Sequence, residues 1–300
     1  MTDAFIDTLQ SFPRGLAFVG LGIVILVLAK LARDVVTSYR IDEEVTQRNN
    51  LAVALRLSGY LMGVIVVFLG ALYQPPTLLT VDGLGFDRTF GEDILRVFLY
   101  SIAGILALNL VRLLMDRLIL YKFSIEKEVV QDQNVGMGAA EFGLYVATGL
   151  MIAGAVSGEG GRTELTTALI ALAFFGMGLV LLVVFSLFYQ FTTPFDIHSQ
   201  IEGDNTAVGV AFGGNLIAIG LVTFKALFGD FVGWGDSIVT FVTFGVIGFA
   251  LLYLLRFLID LMLLPTVRVS SALSVERNVG VAFIESAVVI STALILFLAI

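Results

Sequence analysis

Asn205-Thr-Ala-Val-Gly209 is the most informative segment for the fold, because the chain contains a version of it four times. Each version reads Asn, any residue, Ala or Gly, Val or Met, Ala or Gly. The four versions begin at Asn50, Asn134, Asn205 and Asn278, which we call the motif asparagines. Each one follows a polar connection and precedes an apolar segment. The sequence therefore predicts a helix that begins directly after each motif asparagine.

The composition predicts an integral membrane protein. Hydrophobic residues make up 58% of the 300 residues and charged residues 14%, whereas a soluble domain is about 45–50% apolar and about 25% charged. The chain has no cysteine, which excludes disulfides and zinc–thiolate sites. Its net charge of −8 argues against nucleic acid as a partner, since such binding needs a basic surface.

Eight segments are long and apolar enough to cross a bilayer, which takes about 20 residues of helix. They are about Gly15–Val36, Leu51–Tyr73, Ile94–Leu120, Val135–Val156, Leu165–Gln190, Thr206–Phe228, Ser237–Leu264 and Val279–Ile300. The motif asparagines precede every second segment. The predicted fold class is an all-α membrane protein with eight transmembrane helices.

The recurrence of the motif predicts four two-helix repeats. We place them at residues 1–80, 81–160, 161–232 and 233–300. Because each repeat crosses the membrane twice, every repeat enters from the same side. The repeats are then parallel and related by an axis along the bilayer normal. The sequence thus predicts a pseudo-symmetric bundle of eight helices.

A basic residue four positions before an acidic one recurs near the end of three odd-numbered spans. The pairs are Lys30/Asp34, Arg112/Asp116 and Arg256/Asp260. Residues at this spacing share one face of a helix, and charged groups near span ends cost little because they reach the interface. The sequence predicts ion pairs at the membrane boundary.

The distribution of Lys and Arg predicts the orientation. Eleven of these seventeen residues flank the connections that precede the motif asparagines, and five lie on the opposite side. The connections that carry the motif asparagines are therefore predicted to be cytoplasmic, with both chain termini outside.

Polar side chains inside the predicted spans are the candidate functional residues, because a charge near the bilayer centre costs about 2.5–3.5 kcal/mol. Glu141 and Glu285 each lie seven residues after a motif asparagine, and Arg56 and Asn215 lie at similar depth. Around a common axis the two glutamates would face each other and form a cation or proton pathway, with Arg56 as counter-ion. The alternative is that these groups pair only to fix helix packing.

The motif asparagines also allow two interpretations. Asparagine is a favoured N-cap, whose side-chain oxygen accepts a free backbone N–H. Four amides at the positive ends of four helices would alternatively form a polar vestibule.

Nothing in the sequence resembles a catalytic site or a cofactor or metal site, so we expect a protein that is not an enzyme. One hypothesis is a channel or transporter for a small cation or proton. The other is a non-catalytic scaffold or envelope-stress interaction protein with a cytoplasmic protein partner. In both, the chain contacts the lipid bilayer and can form oligomers.

The repeated motif resembles the YjfL-like family of uncharacterised bacterial inner-membrane proteins, which are built from tandem copies of one domain. The best-matching stretch is Gln200-Ile-Glu-Gly-Asp-Asn-Thr-Ala-Val-Gly-Val-Ala-Phe-Gly-Gly214. The fourth copy departs from it, with Ser286 and Ala287 where the others carry a glycine. The resemblance implies the inner membrane and the two-helix unit, and it brings no established activity.

Overall fold

The computed structural model describes residues 2–73, 88–118, 126–158, 160–161, 163–262 and 268–299. Eight helices in these ranges are long and apolar enough to cross a membrane. They are α1 (Thr2–Val36), α3 (Leu51–Leu72), α4 (Arg88–Leu118), α5 (Val135–Val156), α6 (Glu164–Thr192), α8 (Thr206–Leu227), α9 (Trp234–Met262) and α11 (Val279–Ala299). The protein is a multi-pass, all-helical membrane protein.

A short helical segment precedes each helix that follows a motif asparagine. These segments are α2 (Ile41–Thr46), a π-helical turn (Lys127–Gln131), α7 (Ile197–Glu202) and α10 (Val269–Ser274). Between each short segment and its long helix lies a residue with positive φ, directly before the motif asparagine: Asn49, Gln133, Asp204 and Arg277. The left-handed backbone at these positions turns the chain into the next long helix.

The four helices that begin after motif asparagines pack in chain order, α3 on α5, α5 on α8 and α8 on α11. Burial marks α5 and α8 as the centre of this row. In their apolar segments 72% and 83% of residues are buried, against 22% in each of α1, α6 and α9. The outer helices therefore present most of their surface to lipid.

Small residues allow the central helices to touch backbone to backbone. A Cβ atom on Gly143 of α5 would overlap the backbone of Gly213 on α8, and one on Gly209 would overlap the backbone of Gly136. Association in lipid depends on such close packing, because apolar side chains gain little by leaving a solvent that is itself apolar. The small positions of the motif therefore bring α5 and α8 together.

Candidate functional site

All four motif asparagines cap the helix that follows them. In each case the side-chain oxygen accepts a hydrogen bond from the backbone N–H three residues later, at Val53, Met137, Val208 and Val281, over 2.9–3.2 Å. Such a bond satisfies one of the four free N–H groups at a helix start.

Three of these asparagines also bind the connection that follows in the chain. The amide nitrogens of Asn50, Asn134 and Asn205 donate to the carbonyl oxygens of Val129, Ile201 and Leu273, over 2.9, 2.6 and 2.9 Å. Each of these three side chains is at most 1% exposed. The amides therefore fasten four connections into one polar belt at the helix starts, whereas Asn278, at the end of the row, is exposed.

The acids of these connections lie partly inside the belt. Glu44 and Glu128 are buried and accept hydrogen bonds from Asn50 and Asn134, over 3.2 and 3.0 Å. They stabilise the asparagines rather than face solvent.

Other acids stay on the outer surface of the belt. Glu126 is exposed and accepts a hydrogen bond from Ser38. The carboxylate of Asp132 lies 3.2 Å from the ammonium of Lys127, and this hydrogen-bonded pair raises the pKa of Lys127.

Below the belt, the first half of the chain buries a group of charged side chains that we call the charged layer. It consists of Arg33 on α1, Arg56 on α3, Arg112 on α4 and Glu141 on α5. All four are at most 8% exposed. The Nε atom of Arg56 lies 3.0 Å from a carboxylate oxygen of Glu141, and its terminal nitrogen donates to the Tyr39 hydroxyl over 3.3 Å.

Arg33 lies between two aromatic rings in this layer. Its guanidinium carbon is 5.4 Å from the ring centres of both Tyr60 and Tyr145, within the range of cation–π attraction. One guanidinium nitrogen donates to Asn109 over 3.4 Å, and the Asn109 amide donates to the Tyr60 hydroxyl over 2.9 Å. Four helices thus contribute to one polar network.

Sequence reasoning missed Arg33 and both tyrosines. Arg33 counted only toward orientation, although it continues a spacing of four residues from the fully buried Ile25 and Ala29. That spacing places Arg33 on the buried face of α1, but α1 is apolar on all sides between Arg14 and Lys30, so the sequence carries no signal for which face is buried.

The structure does not bring Glu141 and Glu285 together, because α8 packs between the helices that carry them. Glu285 is 1% exposed on α11, which packs on α8 and α9. The predicted meeting of the two glutamates across a common axis therefore does not occur within the chain. Asn215 on α8 is buried and donates to the Ala211 carbonyl and the Tyr189 hydroxyl, over 2.8 and 3.4 Å.

The proposed boundary pairs have different surroundings. Lys30 lies 2.7 Å from Asp34 and 2.8 Å from Asp42. Arg112 belongs to the charged layer instead of standing at the surface. The side chains of Asp116, Arg256 and Asp260 lie outside the described residues.

In the part of the chain that the structure describes, no three His, Asp or Glu side chains cluster closely enough to hold a metal ion. What the charged layer offers is a set of fixed positive charges with one carboxylate. Such a group inside a bilayer is costly to form, and it typically marks an ion or proton route or a fixed helix contact.

Fold and burial define this class of protein as a polytopic helical membrane protein with a polar interior. The chain belongs to the family described as Domain of Unknown Function (DUF350), whose model matches residues 7–156 and again 164–300. It is also similar to the "UPF0719 transmembrane protein" of Aquifex aeolicus (strain VF5), at 21% identity over 257 residues, covering 85% of this chain and 88% of that protein. No solved structure matches the chain. These relatives agree with an uncharacterised membrane family, while the narrower YjfL-like assignment stays a prediction.

Proposed function

We propose that this protein is a channel or transporter that lets a small ion or a proton pass the membrane. The supporting observation is the Arg56–Glu141 pair, whose Nε and carboxylate oxygen lie 3.0 Å apart. Both side chains are at most 2% exposed and lie in helices long and apolar enough to cross a membrane. Burying two charges carries a desolvation cost, whereas apolar side chains pack two helices equally well without that cost. A contact that served only to hold the helices together would therefore not need the ion pair. The proposed protein is not an enzyme and needs no cofactor.

The architecture proposed with this function is four parallel two-helix units. Its support is that contacts between neighbouring helices join residues at matching distances from their motif asparagines. Gly59, nine residues after Asn50, meets Phe142, eight residues after Asn134. Gly214, nine residues after Asn205, likewise meets Ser286, eight residues after Asn278.

We place the protein in the bacterial inner membrane, with the belt of connections in the cytoplasm and both termini outside. The excess of Lys and Arg around these connections supports this orientation. Cysteine is absent from the chain, so single cysteines introduced at Ser38 and at Asp236 would test it. A membrane-impermeant maleimide added to intact cells is expected to label the position 236 variant and not the position 38 variant.

The experiment that tests permeation is flux in proteoliposomes, across gradients of protons, monovalent cations and monovalent anions. We expect flux in the wild type and its loss in the Glu141→Gln, Glu285→Gln double variant. Folding of the variant is checked by its elution in size-exclusion chromatography, and the exposed Gly280→Ala variant serves as control. Wild-type protein that passes no ion, or a folded double variant with full flux, would overturn the proposal.

The second candidate is a scaffold that holds a cytoplasmic protein. The observation that favours it is the row of exposed acids on the belt: Asp42, Glu126, Asp132, Glu202 and Asp204. Crosslinking in cells would test the scaffold function by comparing the wild type with a triple variant, Asp42→Asn, Glu126→Gln, Glu202→Gln. Glu44 and Glu128 are left intact, because they stabilise motif asparagines. A partner that is lost in this variant supports the scaffold, and unchanged crosslinks exclude this surface.

A further inference from the structure

The two units that match the family model are joined mainly by the packing of α5 on α8. The first unit, residues 7–156, ends with α5, and the second unit, residues 164–300, ends with α11. By their order in the two units, α11 corresponds to α5, and α3 corresponds to α8. One contact between units is therefore made inside the chain, while the helices that could repeat it, α11 and α3, stand at opposite ends of the row.

The three contacts along the row follow one rule of position. Each joins the residue nine positions after one motif asparagine to the residue eight positions after the next: Gly59 to Phe142, Gly143 to Gly213, and Gly214 to Ser286. At the ends of the row these positions are Ala287 on α11 and Ser58 on α3, and both residues are exposed. Both are small, so they leave room for the close helix approach that holds the rest of the row together.

The polar belt is incomplete at the same two ends. Within the row, the amide of a motif asparagine donates to a carbonyl of the next connection, and the residues that carry these carbonyls are 0% exposed: Val129, Ile201 and Leu273. In the first connection the corresponding residue is Val45, five positions before Asn50, and it is partly exposed. Asn278 at the other end is exposed and, among the described residues, makes only its cap bond. One end thus offers a donor and the other end an acceptor of the same bond.

We infer that a second copy of the chain continues the row, with its α3 packed on the exposed face of α11. The Asn278 amide donates to the Val45 carbonyl of that copy, as the other motif asparagines do inside the chain. In an isolated chain Asn278 keeps only its cap, so the second copy completes the belt. The contact joins two different surfaces and is therefore head-to-tail. This assembly goes beyond the proposed function and does not depend on permeation.

Cysteine crosslinking between copies tests the contact directly, because the chain has no cysteine of its own. Ser58→Cys and Ala287→Cys are made as single variants, given different affinity tags and expressed together. The membranes are oxidised with copper phenanthroline before they are dissolved. A disulfide forms only where Cα atoms lie about 4.4–6.8 Å apart, so we expect a disulfide-linked pair that carries both tags. Val180→Cys, at an exposed position on α6, is expected to give no such pair with Ala287→Cys.

The other outcomes of this experiment contradict the inference. No Ser58–Ala287 disulfide would exclude the contact between α11 and α3. Ala287→Cys that crosslinks to itself when expressed alone would show a two-fold contact instead of a head-to-tail one. Equal crosslinking in the Val180 control would mean that the disulfides report random collisions.

The number of copies in one particle gives a second test that needs no disulfide. The protein is extracted with its lipids into polymer-bounded nanodiscs, and the copies are counted from the photobleaching steps of one attached fluorophore. We expect more than one copy for the wild type and one copy for Ala287→Trp, because the indole fills the space between the two helices. In an isolated chain position 287 faces outward, so this variant is expected to fold, which circular dichroism checks. Val180→Trp is the control and is expected to match the wild type.

Two results of the count would overturn the inference. A wild type with one copy in each particle would mean that lipid covers the exposed face of α11. A folded Ala287→Trp variant with the wild-type number of copies would mean that the chains associate through another surface.

Discussion

The two halves of the chain that match the family model place a glutamate at the same point and surround it differently. Glu141 and Glu285 each lie seven residues after a motif asparagine, and both are buried. In the first half, arginines from α1, α3 and α4 are buried as well. Among the described residues of 164–300, no buried side chain is a lysine or an arginine. Helices of similar design thus hold different polar interiors, and residues outside the motif decide which.

The largest expected effect comes from separating the ion pair of the first half. Arg56→Leu or Glu141→Leu alone leaves the other charge buried, and we expect a loss of about 3–5 kcal/mol in the free energy of unfolding. Replacing both by leucine is expected to cost less than either single change, because apolar pairs replace buried ion pairs at little cost. Denaturant titration of all three variants in detergent measures this. Losses that simply add would show that the pair is not coupled.

Counterpart asparagines of the two halves give the next comparison. Asn134→Ala removes a cap worth about 1 kcal/mol and two further bonds, to Glu128 and Ile201, worth about 0.5–1.5 kcal/mol each. We expect a loss of about 2–4 kcal/mol. Asn278→Ala removes a cap at an exposed position, so about 1 kcal/mol is expected. Unfolding curves that give equal losses would contradict a role for the amide in fastening the next connection.

Two glycines in different surroundings, one on α5 and one on α11, test the close packing. Gly143→Ala forces a methyl group onto the backbone of Gly213, and we expect a loss of about 1–3 kcal/mol. Gly280→Ala on α11 meets only the side-chain oxygen of Asn278 at 3.2 Å. It is expected to change stability by less than about 1 kcal/mol, since alanine also favours the helix. Thermal midpoints of the two variants measured side by side would decide, and equal midpoints would speak against backbone contact between α5 and α8.

The last comparison concerns two amides that donate to a tyrosine, the buried Asn215 and the partly buried Asn109. Asn215→Leu in the second half removes neutral hydrogen bonds, for about 0.5–1.5 kcal/mol. Asn109→Leu in the first half also removes the acceptor of the Arg33 guanidinium. A hydrogen bond to a charged group contributes about 1.5–3 kcal/mol. The Asn109 variant should therefore unfold at lower denaturant concentration. The reverse order would mean that Arg33 does not depend on Asn109.

Parts of the site were accessible from the sequence because they are local. An asparagine before an apolar segment is enough to predict a cap, and the four asparagines do accept the expected backbone bonds. Arg56 and Glu141 stood out one by one as charges inside apolar segments. Their pairing joins positions 85 residues apart in the chain, and no local pattern fixes which helix faces meet.

The eight helices that are long and apolar enough to cross a membrane could be predicted from the amino-acid sequence, because hydropathy and helix length are properties of each segment alone. Two features depend on how the helices pack: α8 lies between the helices that carry the two glutamates, and Arg33 lies in one layer with Arg56, Arg112 and Glu141. The physical reason is that burial depends on the neighbouring helix. Arg33 stands three residues before the end of α1, where snorkelling to the interface and burial were equally compatible with the sequence, and the packing of α1 on α3 and α4 buries it.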